Sequence, residues 1–289
     1  MEKKGLLFTV IYPQAMAFWE DFCACARAQK TNSLEIIIVN DGCDKLTLEK
    51  SLTGLTYHIE KSLGSPSKNR EQGVNYAYTH GYKYILFCDS DDTFLPERYE
   101  KTLQIFESTD ADIIVCNLNI VDEKLNILIP DYFSQEIPED KWIDRSFITD
   151  KNIFGMSNTA LRISSLSEMI NLPETPIADW YLFTVLLNRG LKAKYINESY
   201  VNYRQHNANL IGINCFDVPI FRKLLKLKNN HFRLLVQNGY DAYKDLYEKS
   251  LKLADISDVE IKEFISKQLS IHKQPLWWQI VSNEIANNI

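Results

Sequence analysis

Three carboxylates are crowded into residues 89–92 (DSDD), directly after an apolar run at residues 84–88. Hard divalent cations such as Mg²⁺ and Mn²⁺ prefer carboxylate oxygens, and commonly take one or two of them from the protein. Carboxylates packed beside a buried strand also repel one another unless a cation is present. Where a protein holds a nucleoside diphosphate as a leaving group, such a cation neutralises it. The segment therefore predicts a metal site, with one aspartate on the metal and the other on a metal-bound water or, for a nucleotide ligand, on the ribose.

The same residues fit two other interpretations. In the first, the aspartates form a solvated turn and cap the next helix, a role that Asp92 can fill alone. In the second, Asp89-x-Asp91-x-Thr93 is the nucleophile motif of a haloacid-dehalogenase-type phosphatase, in which Asp89 attacks phosphorus and Asp91 is the acid and base. Against the phosphatase, that motif usually has glycine where this chain has Asp92, and it usually opens its domain. The cluster alone leaves these alternatives open.

The elements that must position the cluster alternate between strands and helices. Apolar runs predict strands at residues 6–11, 34–39, 58–60, 84–88 and 112–116. Other patterns predict helices at residues 18–29, 46–52, 71–80 and 96–108. This alternation predicts a parallel, helix-covered sheet, and ligands bind beyond the carboxyl ends of the strands in such sheets. Asp41 and the DSDD cluster both follow strands, so we expect them to meet in one crevice.

The second half of the chain has a weaker pattern. Residues 119–149 are polar and aromatic, residues 178–188 predict a helix, and residues 216–289 are predicted to be largely helical. A soft boundary near Gly212 separates the α/β body from this tail. We predict that Trp277 and Trp278 lie on a helix packed against the domain, although their apolar segment also suits a membrane face.

Bulk composition narrows the class of protein. The 289 residues suffice for one large α/β domain with an appendage, and a net charge of −6 without a basic run disfavours a nucleic-acid partner. Six cysteines form no CxxC pair and no zinc spacing, which favours reduced thiols in a cytoplasmic protein. The chain shows no signal-peptide core and no apolar stretch of about 20 residues. We therefore expect a soluble protein, with peripheral contact at the inner membrane face left open.

Five ordered blocks resemble the inverting family 2 glycosyltransferases, which have the GT-A fold. The blocks are residues 35–42 (EIIIVNDG), 70–73 (REQG), 84–96 (YILFCDSDDTFLP), 177–180 (IADW) and 203–209 (YRQHNAN). Each block alone is weak, but their order and spacing over residues 6–212 make the set specific.

The resemblance implies an architecture. It predicts an α/β fold with a GT-A-type, Rossmann-like and mostly parallel sheet, helices on both faces, and a helical C-terminal extension. The GT-A domain would span residues 1–212, with a donor-binding half at 1–118 and an acceptor-binding half at 119–212. The extension would span residues 213–289.

The resemblance also implies roles on the donor side of the site. Asp41 would accept a hydrogen bond from the donor base, commonly uracil, and Arg70 would lie near the diphosphate. Asp89 would contact the ribose or the metal shell, and Asp91 would ligate Mn²⁺ or Mg²⁺.

The remaining implied roles complete a reaction. Asp179 would be the general base on the acceptor hydroxyl, while His206 would approach the metal or the diphosphate, with Arg204 near the donor. A single displacement needs one base on the acceptor side and a metal with cations on the leaving-group side. The sugar would pass from a nucleotide sugar, most commonly a UDP-sugar, to a hydroxyl of a glycan or glycolipid, as in polysaccharide biosynthesis.

Several positions depart from the family pattern. The usual Thr-Tyr-Asn after the first strand is replaced by YPQ at residues 12–14. Asn40 and Cys43 replace the first Asp and the Ser of the Asp-Asp-Gly-Ser turn, and Ala178 replaces the Glu before the base. These changes affect donor identity more than reaction class. They also support the alternative of a catalytically silent nucleotide-sugar-binding protein, and they leave the sugar, linkage and oligomeric state open.

Overall fold

The computed structural model describes residues 5–31, 34–206, 216–272 and 274–282. Across these ranges, ten strands join in one sheet with α-helices packed around it. The strands are β1 (Gly5–Ile11), β2 (Glu35–Asn40), β3 (Thr56–Lys61), β4 (Tyr84–Phe87), β5 (Thr93–Phe94), β6 (Ile113–Val121), β7 (Ile127–Ile129), β8 (Lys141–Ile143), β9 (Thr159–Arg162) and β10 (Ala193–Arg204). The helices are α1 (Trp19–Arg27), α2 (Lys45–Ser51), α3 (Pro66–Thr79), α4 (Arg98–Ser108), α5 (Ala178–Asn188), α6 (Val218–Gln237), α7 (Lys244–Ala254) and α8 (Asp258–Ile271).

The strand order is β3-β2-β1-β4-β9-β6-β10-β5, with β7 beside β6 and β8 beside β10. The first four strands in this order are parallel to one another, whereas β9 is antiparallel to both of its neighbours. Every residue of β1 and β4 is buried, as expected for parallel strands that are covered on both faces. The α/β class and the mostly parallel sheet predicted from the sequence are confirmed.

Helices cover both faces of the sheet, and β1 shows this directly. A Cβ added to Gly73 of α3 would lie 2.4 Å from Phe8, while a Cβ added to Gly5 would lie 2.8 Å from Tyr99 of α4. Phe8 and Gly5 are three residues apart on one strand, so they point to opposite faces. α3 and α4 therefore lie on opposite sides of β1, and α3 packs close because residue 73 has no side chain.

Helix α3 begins earlier than the sequence pattern predicts. The predicted helix begins at residue 71, but the helix in the structure starts at Pro66. The Ser65 side chain accepts a hydrogen bond from the Lys68 N–H, and proline at the first position has the helical φ and no N–H to satisfy. Arg70 is therefore carried by a helix and not by a loop.

The C-terminal helices share a second hydrophobic core with the start of α5. Ile177 and Trp180 at that end of α5 pack with apolar side chains of α6 and α8 and with Trp278. α6 is capped by Asp217, and α8 begins with a capping box between Ser257 and Glu260. The predicted boundary at Gly212 lies outside the described residues, and none of the described helices is long and apolar enough to cross a membrane.

The prediction of a helix around Trp277 and Trp278 is wrong. Residues 274–278 are not helical, Trp277 forms an isolated β-bridge with Asn152, and only a short 3₁₀ turn follows at Gln279–Val281. Pro275 explains the change, because proline donates no N–H and disfavours a helical residue before it. The segment packs on the domain, but as an extended strap.

The second core contains a histidine with a consequence for acid stability. His231 of α6 is fully buried and stacks on Trp180 with ring centroids 4.1 Å apart, and neither ring nitrogen has a hydrogen-bond partner among the residues that the structure describes. Burial lowers the pKa of His231 to about 3, with the nearby Lys228 charge adding to the effect. The unfolded chain therefore binds this proton more tightly, so the stability that His231 contributes is present above about pH 6.5 and lost as the pH falls toward 3.

Replacing His231 with phenylalanine is expected to remove this acid sensitivity while keeping the ring stack. Between about pH 6.5 and pH 5, the wild type should lose about 2 kcal/mol more free energy of unfolding than the variant. Urea unfolding at both pH values measures the difference. The exposed His80→Phe serves as the control, and equal acid losses in wild type and His231→Phe would contradict the assignment.

Candidate active site

The register between β1 and β4 brings the first strand end to the acidic cluster. Phe8 pairs with Phe87 in parallel, so the residues that follow each strand continue side by side. Four residues further along, the Tyr12 hydroxyl donates a 2.7 Å hydrogen bond to Asp91 Oδ2. Ser90, fully buried between the aspartates, donates to the Val10 carbonyl at 2.8 Å and fixes the loop to β1.

Asp91 is held in its ionised form by two neighbours. It is only 7% exposed, and burial alone would raise its pKa. His206 Nε2 lies 2.9 Å from Asp91 Oδ2, and this hydrogen bond together with the one from Tyr12 outweighs burial and lowers the pKa of Asp91. Burial and the charge of Asp91 raise the pKa of the Tyr12 phenol, so Tyr12 remains a donor. Asp91 is therefore an ionised carboxylate whose Oδ2 atom is held in place by Tyr12 and His206.

Asp89 forms an ion pair at the rim of the cluster. Arg70 Nη2 on α3 lies 2.7 Å from Asp89 Oδ1, and the Asp89 N–H donates to Ser157 Oγ. Burial raises the pKa of Asp89 to about 6, since the Arg70 charge opposes it only in part and Asp91 adds to it. Arg70 and Asp89 thus lie together, and the guanidinium faces the cluster from the helix.

Asp92 has a structural position. It is 1% exposed and accepts hydrogen bonds from the Arg204 backbone N–H at 2.7 Å and from the Ser157 hydroxyl. Burial, with the charges of Asp91 and Asp89, raises its pKa well above the usual range. The expectation that Asp92 caps the next helix is wrong, because α4 begins at Arg98. Asp92 instead ties the cluster to the end of β10.

Asp179 lies in the first turn of α5, whose predicted bounds match the structure. Its carboxylate is half-buried near the helix N-terminus, where the backbone N–H groups favour a negative charge. Burial nevertheless raises the pKa of Asp179 to about 6, and the charge of Asp89 contributes in the same direction. The Asn152 amide Nδ2 lies 3.5 Å from Asp179 Oδ2. A carboxylate with this pKa is ionised at neutral pH and is basic enough to accept a proton.

The carboxylates of both strand and helix open into one cleft with a cavity volume of about 230 Å³. That is below the roughly 300 to 1,000 Å³ of pockets that enclose a drug-sized ligand, so the enclosed part suits a reacting sugar better than a whole nucleotide sugar. The lining residues are Tyr12, Pro66, Arg70, Asp89, Asp91, Gly155, Met156, Pro176, Ile177, Ala178, Asp179, Tyr203, Trp277 and Trp278.

Three predicted site residues lie outside this lining: His206, which meets the cleft only through its contact with Asp91, and Asp41 and Arg204. Asp41 is half-buried at the end of β2, where its N–H donates to the Ile11 carbonyl, so it shares the sheet edge but not the enclosed cleft. Arg204 is only 1% exposed. Its guanidinium pairs with Asp21 at 2.7 Å and stacks over Phe18. This position favours a structural role for Arg204, and donor contacts by either Asp41 or Arg204 stay predictions.

The donor set fits a divalent cation that shares its shell with a ligand. Among the described residues, no group of three or more His, Cys, Asp and Glu side chains could hold a metal by itself. Asp91 and His206 offer one carboxylate oxygen and one imidazole nitrogen, and Mg²⁺ bound with phosphates commonly takes one or two protein groups. Burial is the main cause of the raised pKa values of Asp89 and Asp92, and repulsion within the cluster adds to it; a cation would offset that repulsion.

Tyr12, Trp277 and Trp278 are among the cleft residues that were not predicted as site residues. Tyr12 was seen only as a departure from the family pattern, although pairing the apolar runs 6–11 and 84–88 in parallel would have placed it near Asp91. Trp277 and Trp278 carried no signal beyond their apolar character. Residues 207–209, the last of the YRQHNAN block, lie outside the described residues.

Solved structures share this fold. S. aureus TarS 1-349 in complex with UDP-GlcNAc aligns with a TM-score of 0.61 and 14% identity over 94% of this chain and 82% of that chain. The complex of TarS 1-349 with UDP gives a TM-score of 0.56 and 16% identity over 79% of this chain and 65% of that chain. The mannosyltransferase PcManGT from Pyrobaculum calidifontis, in complex with GDP-Man and Mn²⁺, aligns with a TM-score of 0.55 and 13% identity over 81% of this chain and 64% of that chain. This chain thus spans less than two thirds of the length of the TarS chain in complex with UDP and of the mannosyltransferase.

The sequence itself matches a family model. No curated protein matches the chain. The model described as glycosyl transferase family 2 matches residues 20–166, which is half of the chain and includes the DSDD cluster. Together with the GT-A fold, this match means that the chain belongs to glycosyl transferase family 2 and is a glycosyltransferase.

Proposed function

We propose that this protein is an inverting, metal-dependent glycosyltransferase that moves a sugar from a nucleoside-diphosphate donor to a hydroxyl of a glycan or glycolipid. One observation carries the proposal: Asp179, with a pKa of about 6, lines the same cleft as Asp89 and Asp91. A basic carboxylate and an acidic metal-type cluster are the two parts that a single displacement requires.

On the acceptor side, Asp179 takes the proton of the attacking hydroxyl. At neutral pH its carboxylate is ionised, and partial burial keeps competing water contacts few. The Asn152 amide is positioned to orient one carboxylate oxygen, which leaves the other for the acceptor. The hydroxyl then attacks the anomeric carbon from the side opposite the diphosphate, so the anomeric configuration inverts and no covalent nucleophile is needed.

On the leaving-group side, Asp91 and His206 would hold Mn²⁺ or Mg²⁺. The Tyr12 hydroxyl and His206 Nε2 both contact Asp91 Oδ2, so Tyr12 helps to fix this carboxylate. When bound, the cation would supply positive charge to the departing diphosphate. Arg70, which lines the cleft, adds a second positive charge, and Asp89 is left to the ribose or to a water of the metal.

The donor base is proposed to be uracil, and Asp41 its hydrogen-bond acceptor. TarS in complex with UDP-GlcNAc supports a uridine nucleotide in this fold, whereas the mannosyltransferase in complex with GDP-Man and Mn²⁺ supports a nucleotide sugar with manganese but a different base. Cytoplasmic location, peripheral contact with a membrane and a role in polysaccharide biosynthesis stay predictions. The phosphatase interpretation is not retained, because the chain belongs to a family of glycosyl transferases.

A thermal-shift screen tests this proposal. UDP, GDP, UDP-GlcNAc, UDP-glucose and GDP-mannose are each added with and without Mn²⁺. A saturating uridine nucleotide with Mn²⁺ is expected to raise Tm by about 5 °C or more, and clearly less without the metal. A rise with guanine nucleotides alone would overturn the choice of base, and no rise with any nucleotide would overturn the proposed donor class.

A further inference from the structure

The extended C-terminal strap, residues 274–282, forms part of the wall of the catalytic cleft. Trp277 and Trp278 both line the cleft together with Asp179. Trp278 is 4% exposed and stacks on Trp180, the residue after Asp179, with ring centroids 5.5 Å apart. Trp277 is only half-buried, so part of its indole is open. The strap thus brings one rigid ring beside the base and a second, accessible ring into the cleft.

The backbone of the strap is strained at this point. Trp278 has φ 72° and ψ −9°, a left-handed conformation that a bulky side chain rarely adopts. Such a conformation persists only where the surroundings force it, and it occurs preferentially at functional sites. It allows two consecutive tryptophans to line the same cleft.

Buried polar contacts hold the strap in place. Lys228 on α6 is 0% exposed, pairs with the buried Asp150 and donates to the Val281 carbonyl at 2.6 Å. Ser282 donates to Asp150 at 2.6 Å, and the Tyr132 hydroxyl donates to the Pro275 carbonyl at 2.7 Å. Contacts at both ends of the strap therefore fix the tryptophans before any ligand binds, which lowers the entropy cost of binding.

Trp277 is wedged so that its ring orientation is set. A Cβ added to Gly155 would lie 2.6 Å from the Trp277 ring, so the ring rests on bare backbone. Phe133 packs edge to face against it at 5.4 Å and 89°, and Tyr203 lies 5.7 Å away. These neighbours prevent the indole from turning away from the cleft.

The position of Trp277 relative to Asp179 places it on the acceptor side. The Asn152 N–H donates to the Trp277 carbonyl at 2.8 Å, and the Asn152 side chain lies 3.5 Å from Asp179. One residue therefore links the Trp277 backbone to the proposed general base. The donor base is expected at the other end, beyond β2, where Asp41 lies outside the enclosed cleft.

We propose that Trp277 is the stacking platform for a pyranose ring of the acceptor, an inference that rests on the proposed function. The face of an aromatic ring is electronegative and attracts the weakly positive C–H bonds on the apolar face of a sugar. The sugar hydroxyls meanwhile reach Asp179 and hydrogen-bond to it. A purely apolar lipid chain would bury the Asp179 carboxylate without giving it a hydrogen-bond partner. An acceptor that ends in a sugar ring satisfies both surfaces.

Saturation-transfer NMR on the full-length protein with UDP and Mn²⁺ tests the proposal. The probes are the methyl β-glycosides of glucose, galactose and N-acetylglucosamine, with cellobiose and chitobiose. At least one probe is expected to show transfer concentrated on its ring C–H protons, reduced about fivefold or more in Trp277→Ala and largely retained in Trp277→Phe. Trp142→Ala, which removes an exposed tryptophan outside the cleft, is the control and should match the wild type.

The affinity for UDP separates the two levels of the proposal. If the Kd values of wild type and Trp277→Ala for UDP agree within about twofold, the result supports a position of Trp277 away from the donor. Weaker UDP binding in the variant would move Trp277 to the donor side and overturn the inference. Probe signals that are absent, or unchanged in Trp277→Ala, overturn it as well. Failure of UDP to bind the wild type would instead contradict the proposed function.

Discussion

Replacing Asp179 with asparagine is expected to lower kcat by about 10²- to 10⁴-fold while the affinity for the donor changes little. Asparagine keeps the size and the hydrogen bonding of the side chain but cannot accept a proton. In the structure the Asp179 carboxylate is hydrogen-bonded to Asn152, whereas Asp91 is hydrogen-bonded to His206, so donor binding should persist. Initial rates of nucleoside diphosphate release, with titrations of donor and acceptor, measure the separation of kcat from KM.

The same substitution is expected to change the pH profile and the stability. With a pKa of about 6, Asp179 must be unprotonated to act, so the wild-type kcat/KM should fall about tenfold per pH unit below pH 6. Asp89 also has a pKa of about 6 and shapes this limb together with Asp179. Because the raised pKa means that the folded protein disfavours ionised Asp179, its charge costs stability above pH 6, and Asp179→Asn should have a higher Tm at neutral pH.

This stability gain is an internal control, since it shows that the variant is folded. A variant that is folded and binds UDP but retains more than a tenth of the wild-type kcat would place the base elsewhere. The most informative second variant is Asn152→Ala, which removes a neighbour of the Asp179 carboxylate without removing the base. It is expected to lose much less activity than Asp179→Asn.

Replacing Asp91 with asparagine is expected to remove the dependence of the rate on Mn²⁺ and to lower kcat by about 10²- to 10³-fold. The carboxylate is the charged member of the Asp91 and His206 pair, and its pKa is lowered, so it carries a full negative charge at neutral pH. An amide oxygen is a weaker ligand for a hard cation. Rates measured across a Mn²⁺ titration, together with direct Mn²⁺ binding in the presence of UDP, test both parts.

Two other variants grade this effect. Tyr12→Phe removes one hydrogen bond from Asp91 but leaves the carboxylate, so Mn²⁺ binding should weaken only a few fold, roughly the 1 kcal/mol of one hydrogen bond. Asp44→Asn, at the exposed cap of α2, keeps a good capping residue and should change nothing. A Mn²⁺ response that survives in Asp91→Asn would contradict the assigned ligand.

The parallel half of the sheet was predictable because its physics is local. β1 and β4 are buried on both faces and appear as nearly continuous apolar runs, and α5 is apolar nearly all round. β10 was largely missed, since its exposed and buried residues do not alternate and register shifts interrupt its pairing with β6. Its residues satisfy neighbours that are far away in sequence, which no local pattern records.

The candidate site likewise contains residues that local sequence patterns locate and residues that only long-range contacts place. Asp89 and Asp91 follow a strong strand, so the rule about strand ends locates them. The motif that contains Arg204 says nothing of where its guanidinium points, and the structure directs it to Asp21 and Phe18. Trp277 enters the cleft only because a strap far along the chain is held by buried contacts with other elements.

Turnover of UDP-sugars with and without Mn²⁺ tests the central claim most directly. The wild type should release UDP from at least one UDP-sugar in the presence of Mn²⁺, through slow hydrolysis if no acceptor is supplied, and much less after chelation of the metal. Asp91→Asn should not respond to Mn²⁺, and Asp179→Asn should bind the donor but turn it over at a small fraction of the wild-type rate. Full activity in both Asp91→Asn and Asp179→Asn, or donor binding without any turnover by the wild type, would contradict the proposed mechanism.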